Sequence, residues 1–301
     1  MIKLFASDLD GTLLARSHQF DELIKVTVEK IVRENAVFTI STGRDCSMTE
    51  LNGLENKIYR ICMNGALVMS PDGETLKLDL IDKDILKIIL EEFDDLDLEF
   101  ITPYKTYTKQ SREEFFEKME KMPHPDGDDV EVVKFFMENI SKRLVFDQSK
   151  EEILSKDVCK INSHLQPGKS YNRLYKFLEK YSSSIVNAPC DKNLIEITKQ
   201  GVNKGNAVHW LGQYLHIGDD EIAVYGDGGN DLQMLSMFEH SYAPCTALEE
   251  AKAFRFSGTS PRTIRCARPS AMAVLPTPGS PIRQGLFLVL RDRMRITLRI
   301  S

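Results

Sequence analysis

Asp8-Leu9-Asp10-Gly11-Thr12-Leu13-Leu14 follows an apolar run, Ile2 to Ala6, that starts almost at the first residue. Two carboxylates at i and i+2 project from the same side of an extended strand. Gly11 directly afterwards lets the chain turn sharply. Acids held this close repel unless a cation sits between them or one keeps its proton. A structural protein gains nothing from that cost. A phosphoryl-transfer site uses it: one carboxylate attacks phosphorus, the second handles the proton, and a metal neutralises both.

Three further segments carry related chemistry. In Phe38-Thr39-Ile40-Ser41-Thr42-Gly43-Arg44, Ala36 to Ile40 is a short buried-strand pattern, and the hydroxyls arrive where that strand ends. A hydroxyl there can donate to a phosphoryl oxygen, Gly43 lets backbone approach, and Arg44 adds a guanidinium. The bland alternative is a strand followed by a polar turn. In Gly201-Val202-Asn203-Lys204-Gly205, Asn203 is a plausible N-cap, and Val208, Leu211 and Leu215 give the stripe of a core-facing helix. A lysine in a first helical turn sits badly with the helix dipole. The misfit has a purpose if its ammonium meets a phosphate at the helix N-terminus, whereas an isolated lysine would simply be solvated. Ile222-Ala223-Val224-Tyr225-Gly226-Asp227-Gly228-Gly229-Asn230-Asp231 is a buried-strand run ending in glycines and two acids. Such an oxygen-rich cluster suits a hard cation such as Mg²⁺; an acidic turn is the alternative.

Asp-x-Asp-Gly-Thr behind a hydrophobic strand resembles the first motif of the haloacid dehalogenase superfamily, in the form its phosphohydrolases carry. All four segments, in this order, resemble the Cof-type (IIB) branch, whose members carry a large α/β cap between the second and third motifs. The likeness runs from about residue 1 to about residue 252, and Asn64-Gly65-Ala66 after Tyr59 to Met63 matches the third core strand of that branch. The resemblance implies an α/β fold with a Rossmann-like parallel core and an inserted cap. It implies Asp8 as nucleophile and Asp10 as general acid and base, which requires a raised pKa at Asp10. Mg²⁺ would take the Asp8 carboxylate, the Asp10 backbone carbonyl and Asp227, with Asp231 adjacent or behind. Thr42 rather than Ser41, with Gly43 and Arg44, would form the phosphate loop. Lys204 would hold phosphoryl oxygens and offset Asp8, and Asn230 would reach the phosphate or the nucleophile. The family's ATP-driven pumps carry Thr where this chain has Asp10, so rapid hydrolysis of an aspartyl-phosphate is expected here.

At 301 residues, 42% hydrophobic and 28% charged, the chain can hold two domains with proper cores. Strand and helix patterns alternate at 2–7, 36–41, 59–63 and 221–226, with Ile24, Val28, Ile31 and Val32 on one face of the first helix. This reads as an open parallel sheet with active groups at the carboxyl ends of its strands. The expected core is 1–80 with 190–252, and the expected cap is 81–189. Within that insert, Leu98 to Thr102 and Leu144 to Phe146 are strand candidates, and Leu174, Phe177, Leu178 and Tyr181 mark a helix. The acidic stretches Glu91 to Asp97 and Asp126 to Glu131 read as solvated surface, and the six histidines form no ligand spacing.

No run of 18 apolar residues predicts a membrane span, and Lys3 leads straight into the motif strand with no signal-peptide pattern. Cys46, Cys62, Cys159, Cys190, Cys245 and Cys266 show no Cys-x-x-Cys pairing, so reduced thiols in a cytoplasmic protein are expected. The net charge of −6 argues against general nucleic-acid binding but not against an anionic substrate met by local Lys, Arg and metal. No oligomeric state follows from the sequence. From Ala253 to Ser301 basic residues switch from lysine to nine arginines, with five of the twelve prolines and one acid, Asp292. Residues 253–301 therefore read either as a stretch not native to the fold, from a shifted frame or a fusion, or as a divergent basic tail. The leading function is a Mg²⁺-dependent phosphatase acting on a small phosphorylated metabolite. A capped-branch phosphomutase would need a cap arginine cluster, and Tyr104 to Asn187 offers only Arg112, Arg143 and Arg173. A catalytically idle binder of a phosphorylated ligand and the damaged product of a disrupted gene are the other readings.

Overall fold

A computed structural model of the chain describes residues 1–14, 22–46, 51–121, 143–189, 194–244, 247, 251, 265–267, 287–290 and 294–297. Its first sheet has eight strands: β1 (Leu4–Ser7), β2 (Val37–Ser41), β3 (Tyr59–Cys62), β4 (Leu67–Met69), β5 (Thr75–Leu78), β12 (Ile222–Tyr225), β13 (His240–Pro244) and β14 (Arg265–Ala267). Their order is β14-β13-β12-β1-β2-β3-β4-β5, parallel from β14 to β3 and antiparallel from β3 to β5. The fold is therefore α/β on a parallel core.

Strand β1 lies between β12 and β2, with Ala6 opposite both Val224 and Thr39. It is buried on both faces, which is why Leu4, Phe5 and Ala6 form a continuous apolar run rather than an alternating one. Helix α1 (Glu22–Arg33) turns Ile24, Val28 and Ile31 onto one side of the sheet, against Phe5, Phe38 and Ile40. Helices α6 (Lys204–Tyr214) and α7 (Leu232–Met237) contribute Val208, Leu211, Met234 and Leu235 to a separate cluster with Leu4, Ala6 and Val224. Asn203 caps α6 as expected, its Oδ1 accepting from Asn206 N at 2.8 Å.

A second, six-stranded sheet runs β10-β11-β9-β6-β7-β8, from β6 (Glu99–Ile101), β7 (Thr106–Thr108), β8 (Leu144–Val145), β9 (Lys160–His164), β10 (Ile185–Asn187) and β11 (Leu194–Lys199). One face carries Phe100, Ile161, Ile195 and Ile197, which pack with Leu86, Ile89, Leu174 and Phe177 of α2 (Lys83–Glu92) and α5 (Lys169–Lys180). Helices α3 (Arg112–Lys121) and α4 (Lys150–Leu154) complete this part of the chain. The acidic stretch from Glu91 is surface as expected, with Asp94, Asp95 and Asp97 paired to Lys109, Arg173 and Lys118. A two-stranded ribbon joins β15 (Phe287–Leu290) and β16 (Met294–Thr297).

The chain divides into two compact units, Met1–Leu78 with Ala188–Asp191 and Gly201–Ser301, and Asp79–Asn187 with Lys192–Gln200. The expected return to the core at residue 190 comes too early. Strand β11 pairs antiparallel with both β9 and β10, so the chain crosses back for good only near Gly201. The expectation of unpaired thiols also fails: Cys46 and Cys62 form a disulfide. Sixteen residues separate them, and only the parallel pairing of β2 with β3 brings them together, which no local spacing displays. Cys159 is free and buried. The expected helix over Thr246 to Lys252, the acidic stretch at 126–131, His18, His124, Cys190 and Cys245 lie wholly or mostly outside the described residues. So does most of 253–301, apart from β14, β15 and β16.

Candidate active site

Backbone hydrogen bonds fix the first acid before any side chain acts. Asp8 N donates to Tyr225 O at 2.8 Å, the last rung between β1 and β12. The chain then turns back on itself, Leu13 N donating to Asp8 O at 3.2 Å and Leu14 N to Leu9 O at 2.7 Å. Gly11, at φ +81°, permits that turn, and a Cβ there would lie 2.3 Å from Asp227 Oδ2. Only glycine lets the β1 loop and the β12 loop approach this closely.

Asp8, Asp227 and Asp231 each present a carboxylate oxygen within 4.8 Å of the others. Lys204, 1% exposed in the first turn of α6, donates to Asp8 Oδ1 at 2.6 Å and to Asp231 Oδ1 at 2.7 Å. Asp231 Oδ2 accepts from Asp227 N at 3.0 Å and Gly228 N at 2.9 Å, so this acid shapes the glycine-rich loop as well as pairing with lysine. Thr12 Oγ1 donates to Asp227 Oδ1.

Three carboxylates against one ammonium leave the centre negative. Burial, then the charge of Asp231, pushes Asp8 well above the usual carboxylate range, with Lys204 opposing. Burial chiefly lifts Asp227 to about 6. Burial works against the charge of Lys204, but Asp231 and Asp8 outweigh it and raise its pKa. Hard oxygen donors, clustered and short of positive charge, fit a divalent cation such as Mg²⁺. The donor set would be the Asp8 and Asp227 carboxylates. Asp231 has its oxygens committed to Lys204 and to two backbone amides and stands behind them.

Asp10 faces elsewhere. Arg44 Nε donates to Asp10 Oδ2 at 2.7 Å while Nη2 pairs with Oδ1, a bidentate grip across the β1 and β2 loops. The expected phosphate-contacting guanidinium is thus engaged with the expected general acid. Thr42 is 1% exposed, and its Oγ1 accepts from Arg44 N at 3.1 Å, bending the loop through Gly43. Asn64 N donates to Thr42 O at 3.0 Å, and Asn230 Nδ2 donates to Asn64 Oδ1 at 3.2 Å. Asn64 therefore ties the β2 loop to the β12 loop. The sequence left it without a role, although Met63 and Asn64 both sit at positive φ, 53° and 57°, which marks a segment the fold must hold in place. Thr12 was inside the first motif, and its hydroxyl beside two acids was the available signal.

A family model described as haloacid dehalogenase-like hydrolase matches residues 5–255. YxeH of Bacillus subtilis strain 168 is 27% identical over 258 residues, covering 83% of this chain and 90% of its own length. An HMP-PP phosphatase of Escherichia coli O6:H1 is 23% identical, covering 84% and 88%. A solved haloacid dehalogenase-like hydrolase from B. subtilis superposes with a TM-score of 0.70 at 26% identity, over 84% of this chain and 93% of that one. The subclass IIB sugar phosphatase BT4131 shares the fold, with a TM-score of 0.65 at 21% identity over 83% and 90%.

Proposed function

The chain belongs to the haloacid dehalogenase-like hydrolases, and we propose that it is a phosphatase of the Cof-type (IIB) branch that cleaves small phosphorylated metabolites with Mg²⁺ through an aspartyl-phosphate on Asp8. The observation that carries this reading is Lys204, buried between Asp8 and Asp231 and beside Asp227. Lys204 offsets the charge of Asp8 and supplies a donor to an incoming phosphoryl oxygen, so nucleophile and phosphate meet at one ammonium.

When bound, Mg²⁺ supplies positive charge against the transferring group and the ionised acids. Asp8 attacks phosphorus in line and the leaving oxygen departs with a proton. Asp10 delivers that proton and then takes one from the hydrolytic water, which requires at least one of its oxygens to come free of Arg44. Thr42, Gly43 and Asn230 line the phosphate, held by the Asn64 tie. Asp231 keeps Lys204 and the Asp227–Gly228 backbone in register. Relatives act on HMP-PP, and on a sugar phosphate as the BT4131 name states; we place the substrate among such metabolites. Phosphate release from a metabolite panel, with and without Mg²⁺ and with Asp8→Asn, tests the proposal.

A further inference from the structure

The Cys46–Cys62 disulfide joins two segments that the phosphate site depends on. Cys46 closes the loop that carries Thr42, Gly43 and Arg44, and Cys62 ends β3 immediately before Met63 and Asn64. Between them runs a short ladder: Thr42 N donates to Ile61 O at 2.9 Å, Met63 N to Arg44 O at 2.8 Å, and Asn64 N to Thr42 O at 3.0 Å. The disulfide is the covalent rung at the end of that ladder, with Cα atoms 5.6 Å apart. On one side hangs Arg44, which grips Asp10; on the other hangs Asn64, which receives Asn230. Gly65, which follows, lies so close to α6 that a Cβ on it would meet Asn203 O at 2.5 Å, one residue before Lys204. Three strand ends and the lysine helix therefore converge on the segment that this bond anchors.

We propose that Cys46 and Cys62 form a thiol–disulfide switch of the phosphate site, competent when oxidised and loosened when reduced. Reduction of a bond placed here reaches the site directly, because its two cysteines border the segments that carry Arg44 and Asn64. Cys46, 9% exposed, is the less buried of the two, and Cys62 is fully buried. The thiolate of a low-molecular-weight thiol attacks Cys46 Sγ, the protein S–S bond breaks, and Cys62 leaves as a thiolate that takes up a proton. A second thiol attacks the mixed disulfide and releases Cys46, so two small thiols are oxidised to one disulfide as the protein gains two thiols. The free cysteine Cys159 is buried with its thiol pushed up to about 12 and takes no part. Reduction leaves the hydrogen-bonded ladder but frees its end, and the left-handed Met63–Asn64 segment loses its covalent anchor.

The test uses the full chain purified without reductant, before and after dithiothreitol and after reoxidation with oxidised glutathione. Alkylation with mass spectrometry should find Cys46 and Cys62 protected at first, labelled after reduction and protected again after reoxidation. Amide exchange at Met63 and Asn64 should quicken on reduction, a readout that needs no substrate and so stands even if the phosphatase assignment fails. Phosphate release should lose about tenfold in kcat/KM on reduction, a fraction of what a displacement of about 1 Å can cost a catalytic group. Cys46→Ser should behave as the reduced protein and ignore the thiol, whereas Cys159→Ser should respond like the parent. Labelling of both cysteines in the unreduced protein, or equal exchange and equal kcat/KM in the two redox states, would overturn the proposal.

Discussion

Arg44 holds Asp10 by both carboxylate oxygens, Nε donating to Oδ2 at 2.7 Å, while Asp8, two residues earlier, is held by Lys204 at 2.6 Å. The two acids of one motif thus have different partners and different exposure, 7% for the Asp8 side chain and 36% for Asp10. Paired carboxylates in unlike environments are how one site divides nucleophile from proton carrier.

Asp10→Asn should therefore fold normally and keep its Mg²⁺ affinity, yet lose about 10² to 10⁴ in kcat, the usual share of a general acid. Steady-state kinetics on a good substrate, with Mg²⁺ binding measured by calorimetry, reads both. A variant as fast as the parent would take Asp10 out of proton transfer.

Lys204 is the sole cation bonded to Asp8 and Asp231 among the described contacts. Lys204→Ala leaves those two buried carboxylates and Asp227 uncompensated. Removing one partner of a buried pair costs about 3–5 kcal/mol. Urea unfolding in chelator should show a loss of that size, and millimolar Mg²⁺ should recover part of it by binding the folded state. Full stability in chelator would mean that the acids do not need the lysine.

Glu99, on β6 of the second unit, has its carboxyl pushed up to about 7 by burial, against the opposing charge of Lys160. Its folded pKa lies above the unfolded value, so its contribution is fully present below about 4.5 and is lost as pH rises through about 7. The unfolded chain ionises first, and stability falls across that window. Glu99→Gln removes the dependence. Relative to the parent, it should gain about 2.5 kcal/mol between pH 5 and pH 8 in urea unfolding. A difference that does not change with pH would show that Glu99 ionises freely in the fold.

Much of the site was legible because its residues sit at strand ends, where an apolar run stops and chemistry begins. Asp8 and Thr42 follow β1 and β2 directly, Asp227 comes two residues after β12, and Asn203 announces α6 and Lys204. Relations between loops were not legible. Nothing local in Arg44 says that it reaches Asp10, 34 residues away, nor in Asn64 that it meets Asn230, 166 residues away. In the second unit β9 and β11 alternate Ile161, Ile195 and Ile197 with Lys160, Asn162, Glu196 and Thr198, but only their antiparallel pairing shows that they share one sheet. Lys160 and Glu196, each 2% exposed, satisfy one another across the two strands. A buried ion pair of this kind has no signature in a hydropathy pattern, which sees two charged residues and not their contact. The family match ends at residue 255, just past the switch from lysine to arginine at Ala253.

The central claim is that Asp8 and a divalent cation together release phosphate. Inorganic phosphate should be measured from a panel of sugar phosphates, nucleotides, pyridoxal phosphate and flavin mononucleotide, with Mg²⁺, with chelator, and with Asp8→Asn. The account predicts release that disappears both without metal and in the variant, with acid-quenched parent enzyme carrying phosphate on Asp8. Release that persists in Asp8→Asn, or folded Mg²⁺-loaded protein that turns over none of the panel, would contradict it.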